Sequence, residues 1–484
     1  MALVGKLSWG TRAAWLLSAM PELIKSFAWD AFVLFYYAQV VGLDGALLGG
    51  ALLIILICDA MSDPLAGVIS DRLRRAPMGR RRTLMAAGIL PFTIGLIGVF
   101  SVPSGLSQLA IFGWLLGFGL LARVGISFYS VPTFALGAEL SREPQERALV
   151  ATLRNVGNQL AILILPTIAF SLFFAPSPQF ERGQLNPAPY PWFGVTAAAI
   201  SVFCMLVAIV GLRKRAREIE AMEIDDDRPQ QSIVGAFREL IDGVSKTPKV
   251  GLIFLMSFAV LVVTSTVSQL SLHLATYFWK IDEAATQRLL YAGSVGALIA
   301  FALAPMLIKV IGSQRLMMVG LFGYFVSLAL VIMLPYWGLA PLAGTAAIGW
   351  FVFALRTFAG VAYGVYVVPF NTVIYDVSDH HEANTGRPQQ GFVASLMFIG
   401  LRAGSALTGL VAGLFLNLIH FPVGLPIDQV PDDKVRALAL FVTAIIVIAG
   451  VGLLFIVRGL QVSREEQREV LSKLEARRAR EQKA

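Results

Sequence analysis

Charge is what this 484-residue sequence has least of. Asp, Glu, Lys and Arg make up 14% of it and hydrophobic residues 57%, where a soluble domain is about one quarter charged. That deficit excludes an ordinary soluble enzyme, a disordered chain and a nucleic-acid binder. Cysteine is nearly absent: Cys58 and Cys204 both lie in apolar segments and read as small core residues, not as a disulfide. The four histidines, His273, His380, His381 and His420, lack the Cys or carboxylate spacing of a metal site. No GxxxxGK[ST] loop occurs, which argues against ATP-driven transport, and no GxSxG elbow occurs. The N-terminal segment has no small-residue cleavage site after a clean apolar core, so it reads as a first span.

Long apolar runs are what the sequence has instead. A span needs about 20 residues, and runs bounded by charges, Pro or Gly predict twelve: 13–41, 45–70, 83–102, 108–140, 148–174, 190–212, 250–279, 286–311, 316–335, 341–378, 390–418 and 437–457. The expected fold is an all-α membrane protein of twelve transmembrane helices. Of the 39 Lys and Arg, 29 fall in or beside one set of connections and 5 (Arg182, Lys280, Arg288, Lys434, Arg436) in or beside the other. By the positive-inside rule both termini are then cytoplasmic, in a multi-pass cell membrane protein, the inner membrane if bacterial.

The longest polar interruption, 213–249, divides six spans from six. It predicts an N-terminal six-helix bundle over 1–212, a cytoplasmic linker over 213–249, a C-terminal bundle over 250–460 and a charged tail over 461–484. The halves also resemble each other. At an offset of 237, Val131, Pro132 and Ser141 match Val368, Pro369 and Ser378, Glu139 faces Asp376, and Arg72 faces Lys309. Duplicated bundles around a midplane cavity are a transporter design in which one half rocks against the other.

Ionisable groups in hydrocarbon cost a few kcal/mol each on insertion scales, so they face a cavity or one another. Span 1 carries Glu22, Lys25 and Trp29 on one face, with Asp30 deeper. Span 2 carries Asp59 and Asp63 one turn apart, followed by Pro64. Two carboxylates so placed need a proton, a bound cation or a basic side chain from another helix. Span 4 adds Arg123, Ser127, Tyr129, Ser130 and Phe134, and span 5 adds Arg154, Asn155 and Asn158. The second half supplies Arg356, Tyr366, Asn371 and Arg402. At the span ends Asp71, Arg72, Glu139, Arg142, Arg147, Asp376 and Arg387 form candidate gate or latch pairs.

The stretch DAMSDPLAGVISDRLRRAPMGRRR (Asp59 to Arg82) resembles the major facilitator superfamily, and within it the glycoside–pentoside–hexuronide:cation symporters. VPTFALGAELS, ERALVATLR and TGRPQQGFVASLMFIGLRAGSALTG extend the similarity over both halves. The resemblance implies coupling to Na⁺, H⁺ or Li⁺ through Asp59 and Asp63; Ser127 or Ser130 on span 4 is the expected helper at that ion. It also implies a central cavity between two pseudo-symmetric six-helix bundles. Arg154 matches the family's helix 5 Arg, and Arg402 stands where sugar permeases have a Lys. Melibiose permeases carry a Lys–Asp pair where this chain has Glu22 and Leu23. They carry an acid at Ser130 and a Trp at Phe134. The branch is also similar to sodium-dependent lysophosphatidylcholine symporters, so an amphiphilic cargo is an alternative to a glycoside.

The expected function is therefore cation-coupled symport of a small organic solute, most simply a sugar-related one, by a monomer in a lipid bilayer. Coupling is to Na⁺, bound at Asp59 and Asp63, or to H⁺, with no other cofactor, no nucleic acid and no enzymatic activity. Glu22, Lys25, Trp29, Asp30, Tyr129, Phe134, Arg154, Tyr366, Asn371 and Arg402 are the candidate solute contacts. A non-transporting assembly factor or receptor on the same fold is the alternative of another class. It would keep the span 2 acids permanently paired with Arg154 or Arg123.

Overall fold

The computed structural model describes residues 7–73, 78–140, 143–222, 248–385, 390–423, 425 and 427–460. Most of the expected linker and the whole of the 461–484 tail lie outside these residues. Among the described residues no strand forms beyond a single bridge, Ser177 to Phe180. Twelve long helical segments make up the rest: α1 (9–41), α2 (Gly45–Arg72), α3 (Arg80–Val99), α4 (Gln108–Glu139), α5 (144–173), α6 (Tyr190–Gly211), α7 (248–278), α8 (Glu283–Ile311), α9 (Ser313–Tyr336), α10 (Ala346–Thr385), α11 (Gln390–Leu418) and α12 (Asp432–Leu460). Ten of the described helices are long and apolar enough to cross a membrane. A short helix, Arg213–Met222, follows α6.

Several helices outrun the apolar spans. α12 begins at Asp432 and α10 extends to Thr385, because backbone hydrogen bonding continues past the hydrocarbon where charged residues are solvated. α1 is the irregular one. It changes at Ala19 from Trp9–Ser18 to Met20–Ala28, then passes through two π turns, Trp29–Val33 and Tyr36–Val41. Gly42, at φ 77°, ends it in the left-handed conformation. π turns cluster at functional sites, and the first one here holds Trp29 and Asp30.

α1–α6 pack against one another, as do α7–α12. The duplication seen in the sequence has a backbone signature: Gly79 before α3 and Gly312 before α9 share φ 87°, ψ 158° and φ 85°, ψ 151°. That conformation favours glycine.

The face of the bundle where α1 begins is the near face, and the face where it ends is the far face. Toward the far face the halves meet closely. α2 crosses α11 with glycine on both sides, and a Cβ on Gly413 would sit 2.8 Å from the Gly49 nitrogen. Around this crossing, Tyr277 Oη donates to Gln39 Oε1 at 2.9 Å and Gln184 Nε2 to Thr276 Oγ1 at 2.9 Å. Arg182 Nη2 donates to the Lys280 carbonyl at 2.7 Å. Toward the near face, the described ion pairs stay within the first half: Arg12 with Glu146 at 2.8 Å and Arg81 with Glu139 at 2.7 Å. The bundle is thus sealed at the far face, and among the described residues no hydrogen bond joins the halves at the near face.

A leucine at Gly413 cannot fit this crossing. Gly413→Leu is expected to hold the far face open. A cysteine placed at the seam (Gln39→Cys, in a chain lacking Cys58 and Cys204) should then react with maleimide at least about tenfold faster than in the otherwise unaltered background.

Candidate functional site

The centre of the first half is built from charge. Asp59, on α2, is 2% exposed. Its Oδ2 accepts from Arg123 Nη1, on α4, at 3.2 Å. The Arg123 guanidinium lies over the Trp29 ring, 4.6 Å from its centroid. Of the three remedies open to the α2 acids, the structure uses a basic side chain from another helix at Asp59. In a low-dielectric interior such a pair is held by geometry, because removing either partner strands a buried charge.

One turn along, Ser62 Oγ donates to the Asp59 carbonyl at 2.8 Å and lies 2.8 Å from Ser127 Oγ. Ser62 has one proton, which it gives to the carbonyl, so Ser127 donates to Ser62. Asp63 is part-buried on the next turn of α2. Ser130 is part-buried and joins no hydrogen bond among the described residues.

α1 brings the remaining charges to the same place. Lys25 is buried, and its Nζ pairs with Glu22 Oε1 at 3.0 Å. Asp30, on the π turn, lies within electrostatic reach of both Arg123 and Lys25. Glu22, Lys25, Trp29, Asp30, Asp59 and Arg123 thus form one network spanning α1, α2 and α4.

Beside it stands a second cation. The Arg154 guanidinium, on α5, lies 4.8 Å from the Phe134 ring centroid and 5.6 Å from that of Trp15. Its Nη1 is buried without a hydrogen-bond partner. Phe134 is 59% exposed. It shares a face of α4 with Arg123, Ser127 and Ser130 by the i, i+4, i+7, i+11 spacing, so its free surface looks into the bundle. The exposed aromatic face can hold an apolar face of a solute, and the unbonded guanidinium N–H beside it can donate to a hydroxyl or an anion.

Other candidates fall elsewhere. Tyr129 is 1% exposed and its hydroxyl donates to the Ser18 carbonyl at 3.1 Å, an α4-to-α1 clasp. Tyr366 is buried, stacked on Phe370 at 5.5 Å and beside Tyr363 at 6.1 Å. Glu139 takes a bidentate bond from Arg81, at 2.7 and 3.0 Å, a partner 58 residues away in sequence. The side chains of Asp71, Arg72, Arg147, Asn371, Asp376 and Arg402, and the whole of Arg142 and Arg387, lie outside the described residues. Sequence reasoning missed Ser62, whose small hydroxyl carries no distinctive spacing, and Trp15, which backs Arg154. It named Arg123, with Arg154, as a possible partner of the span 2 acids, and at Asp59 the partner is Arg123. Arg356 gains interest: its Nε is buried without a partner beside Tyr324, whose hydroxyl is 2.9 Å from Thr264 Oγ1. No three His, Cys, Asp or Glu side chains among the described residues converge as a metal site.

Comparison with known proteins identifies the family. The family model described as "MFS/sugar transport protein" matches residues 14–464. The isoprimeverose transporter of Lactiplantibacillus pentosus is 23% identical over 411 residues, 84% of this chain and 80% of its own. The glucuronide carrier protein homolog of Escherichia coli (strain K12) is 22% identical over 417 residues, 85% of this chain and 84% of its own. Among solved structures, the nucleoside transporter NupG superposes with a TM-score of 0.61 at 13% identity, covering 92% of this chain and 98% of that one. The inward-open xylose transporter XylE from E. coli gives 0.59 at 12% identity, covering 96% and 98%. The motifs of the glycoside–pentoside–hexuronide:cation branch fit within that frame, and the chain belongs to the MFS/sugar transport protein family.

Proposed function

We propose that this chain carries a sugar-related solute together with a monovalent cation, Na⁺ or H⁺, by alternating access. Asp59 and Asp63 hold the ion, with Ser127 orienting the α2 backbone through Ser62. Phe134 and Arg154 meet the solute. One juxtaposition carries the reading: inside a bundle sealed at the far face, a buried carboxylate network adjoins an exposed aromatic ring beside a guanidinium whose buried Nη1 has no hydrogen-bond partner.

The chemistry follows from these parts. A sugar ring presents C–H faces to an aromatic plane and hydroxyls to fixed donors, and pockets for small solutes combine apolar surface with a few placed polar groups. An ion at Asp59 and Asp63 lowers the electrostatic cost of those acids and favours the state that takes the solute. Linkage then makes the solute tighten ion binding by the same factor. The positive-inside bias supports a cytoplasmic near face, which would put the sealed far face outside. The working unit is taken to be one chain.

Relatives named for isoprimeverose and for glucuronide support a sugar-related cargo. They give no support to a lysophospholipid cargo or to a non-transporting role. A carboxylated sugar is favoured over a neutral one by Arg356, whose buried, unpartnered Nε suits a guanidinium that meets an anion.

Calorimetric titration of Na⁺ at two pH values, with Asp59→Asn alongside, tests the ion site. Saturable heat that the variant loses is the expected result. In uptake, Asp59→Asn and Asp63→Asn should each abolish ion-driven accumulation while the protein still expresses. Unchanged uphill uptake in both would sink the assignment. Phe134→Ala should raise the half-saturating solute concentration about tenfold or more. Tyr129→Phe should leave it within twofold and lower stability by about 1 kcal/mol, the worth of one hydrogen bond. Arg356→Gln should cut uptake of a uronide and spare that of a neutral glycoside, measured by competition between the two.

A further inference from the structure

The Arg123–Asp59 contact is an unusual ion pair. Only one guanidinium nitrogen, Nη1, reaches the carboxylate, at 3.2 Å, and Nε is buried with no hydrogen-bond acceptor. A guanidinium locked in place for stability is normally bidentate or fully bonded, as Arg81 is on Glu139. Arg123 instead rests on the Trp29 ring, beside Asp59 on α2 and within electrostatic reach of Asp30 on the π turn of α1. The ring is a surface along which a planar cation can slide without being fully resolvated. Lys25, a second base within reach of Asp30, is held by Glu22.

We infer that Arg123 is a tethered cation that competes with the coupling ion for Asp59 and so sets how readily the ion leaves. This rests on the reading of Asp59 as an ion ligand. With the far face sealed, the guanidinium occupies the Oδ2 position a cation would need. When an ion arrives, the guanidinium moves across Trp29 toward Asp30. When the ion leaves, it returns to Asp59. Two cations within a few ångströms of one carboxylate repel strongly in a partly desolvated site, so occupancy is exclusive. α1 also touches α7 through this π turn, and one turn on, Phe35 packs edge-on to His273 of α7 at 5.0 Å. A shift at Asp30 and Trp29 is therefore felt beside the far-face seal, which lets the same swap report ion occupancy to the gate.

The test uses the purified full-length chain in lipid nanodiscs. Na⁺ and Li⁺ are titrated by calorimetry and H⁺ by pH change in weak buffer, for the unaltered chain, Arg123→Gln, Arg123→Lys and Asp59→Asn. Arg123→Gln should tighten binding of the coupling ion about tenfold or more, and Arg123→Lys, which keeps the tethered charge, should stay within about threefold of the unaltered chain. Tryptophan emission should change on ion addition, and Trp29→Phe should remove that change. In proteoliposomes Arg123→Gln should keep solute exchange while net flux falls about tenfold, because the ion then leaves slowly. Unchanged or weaker ion binding in Arg123→Gln, with binding still lost in Asp59→Asn, overturns the inference and leaves the ion-site reading standing. Binding unaffected by Asp59→Asn removes both. Should Arg123→Gln fail to fold, the Trp29→Phe comparison decides alone: an unchanged ion-induced emission signal overturns the inference.

Discussion

A carboxylate buried between helices must have a positive charge beside it, and much of the first half is arranged to provide one for Asp59. α4 places Arg123 against it, α1 places Trp29 under the guanidinium, and Ser62 with Ser127 holds the α2 backbone on the same turn. The requirement is severe because a charge left alone in such surroundings costs several kcal/mol. α1 is irregular at the same place. The π turn Trp29–Val33 begins at the two residues that meet this network and lies against α7.

The two faces of the bundle are held in different ways. Toward the far face the bonds run between halves, from Gln39 to Tyr277 and from Gln184 to Thr276. Toward the near face they run within the first half. Arg12 and Glu146 tie α1 to α5, Arg81 and Glu139 tie α3 to α4, and Arg215 donates to the Leu140 carbonyl at 3.0 Å. These near-face bonds stiffen the half as a body without fastening it to its partner. Rigid-body motion of one half about the other needs that combination.

The helices were legible in the sequence because hydrocarbon imposes its length on every apolar run. The second span, expected at 45–70, is Gly45–Arg72, and the sixth, expected at 190–212, is Tyr190–Gly211. Boundaries drifted where charge flanks a helix, as at Asp432, since hydropathy senses the membrane and not the hydrogen-bond ladder. The need for a counter-charge at Asp59 was legible too. Its identity was narrowed to Arg154 or Arg123 but not decided, because which of them faces α2 depends on packing between elements 64 residues apart. The same limit affected Tyr129, whose hydroxyl looked available for a solute until Ser18 proved to be its acceptor. It affected Glu139 as well, which bonds across to α3 instead of to a near neighbour.

The crossing of α2 and α11 brings backbone against backbone, Gly45 and Gly49 on one helix and Gly409 and Gly413 on the other. Apart from Leu52 and Asn417, few side chains stand at this crossing, so few rotamers have to unlock when the helices part. Friction at that joint therefore comes from wetting and drying the exposed peptide groups, a cost that is independent of what the protein carries. Substitutions that retune the cargo at Phe134 or Arg154 can then leave the speed of the hinge as it was.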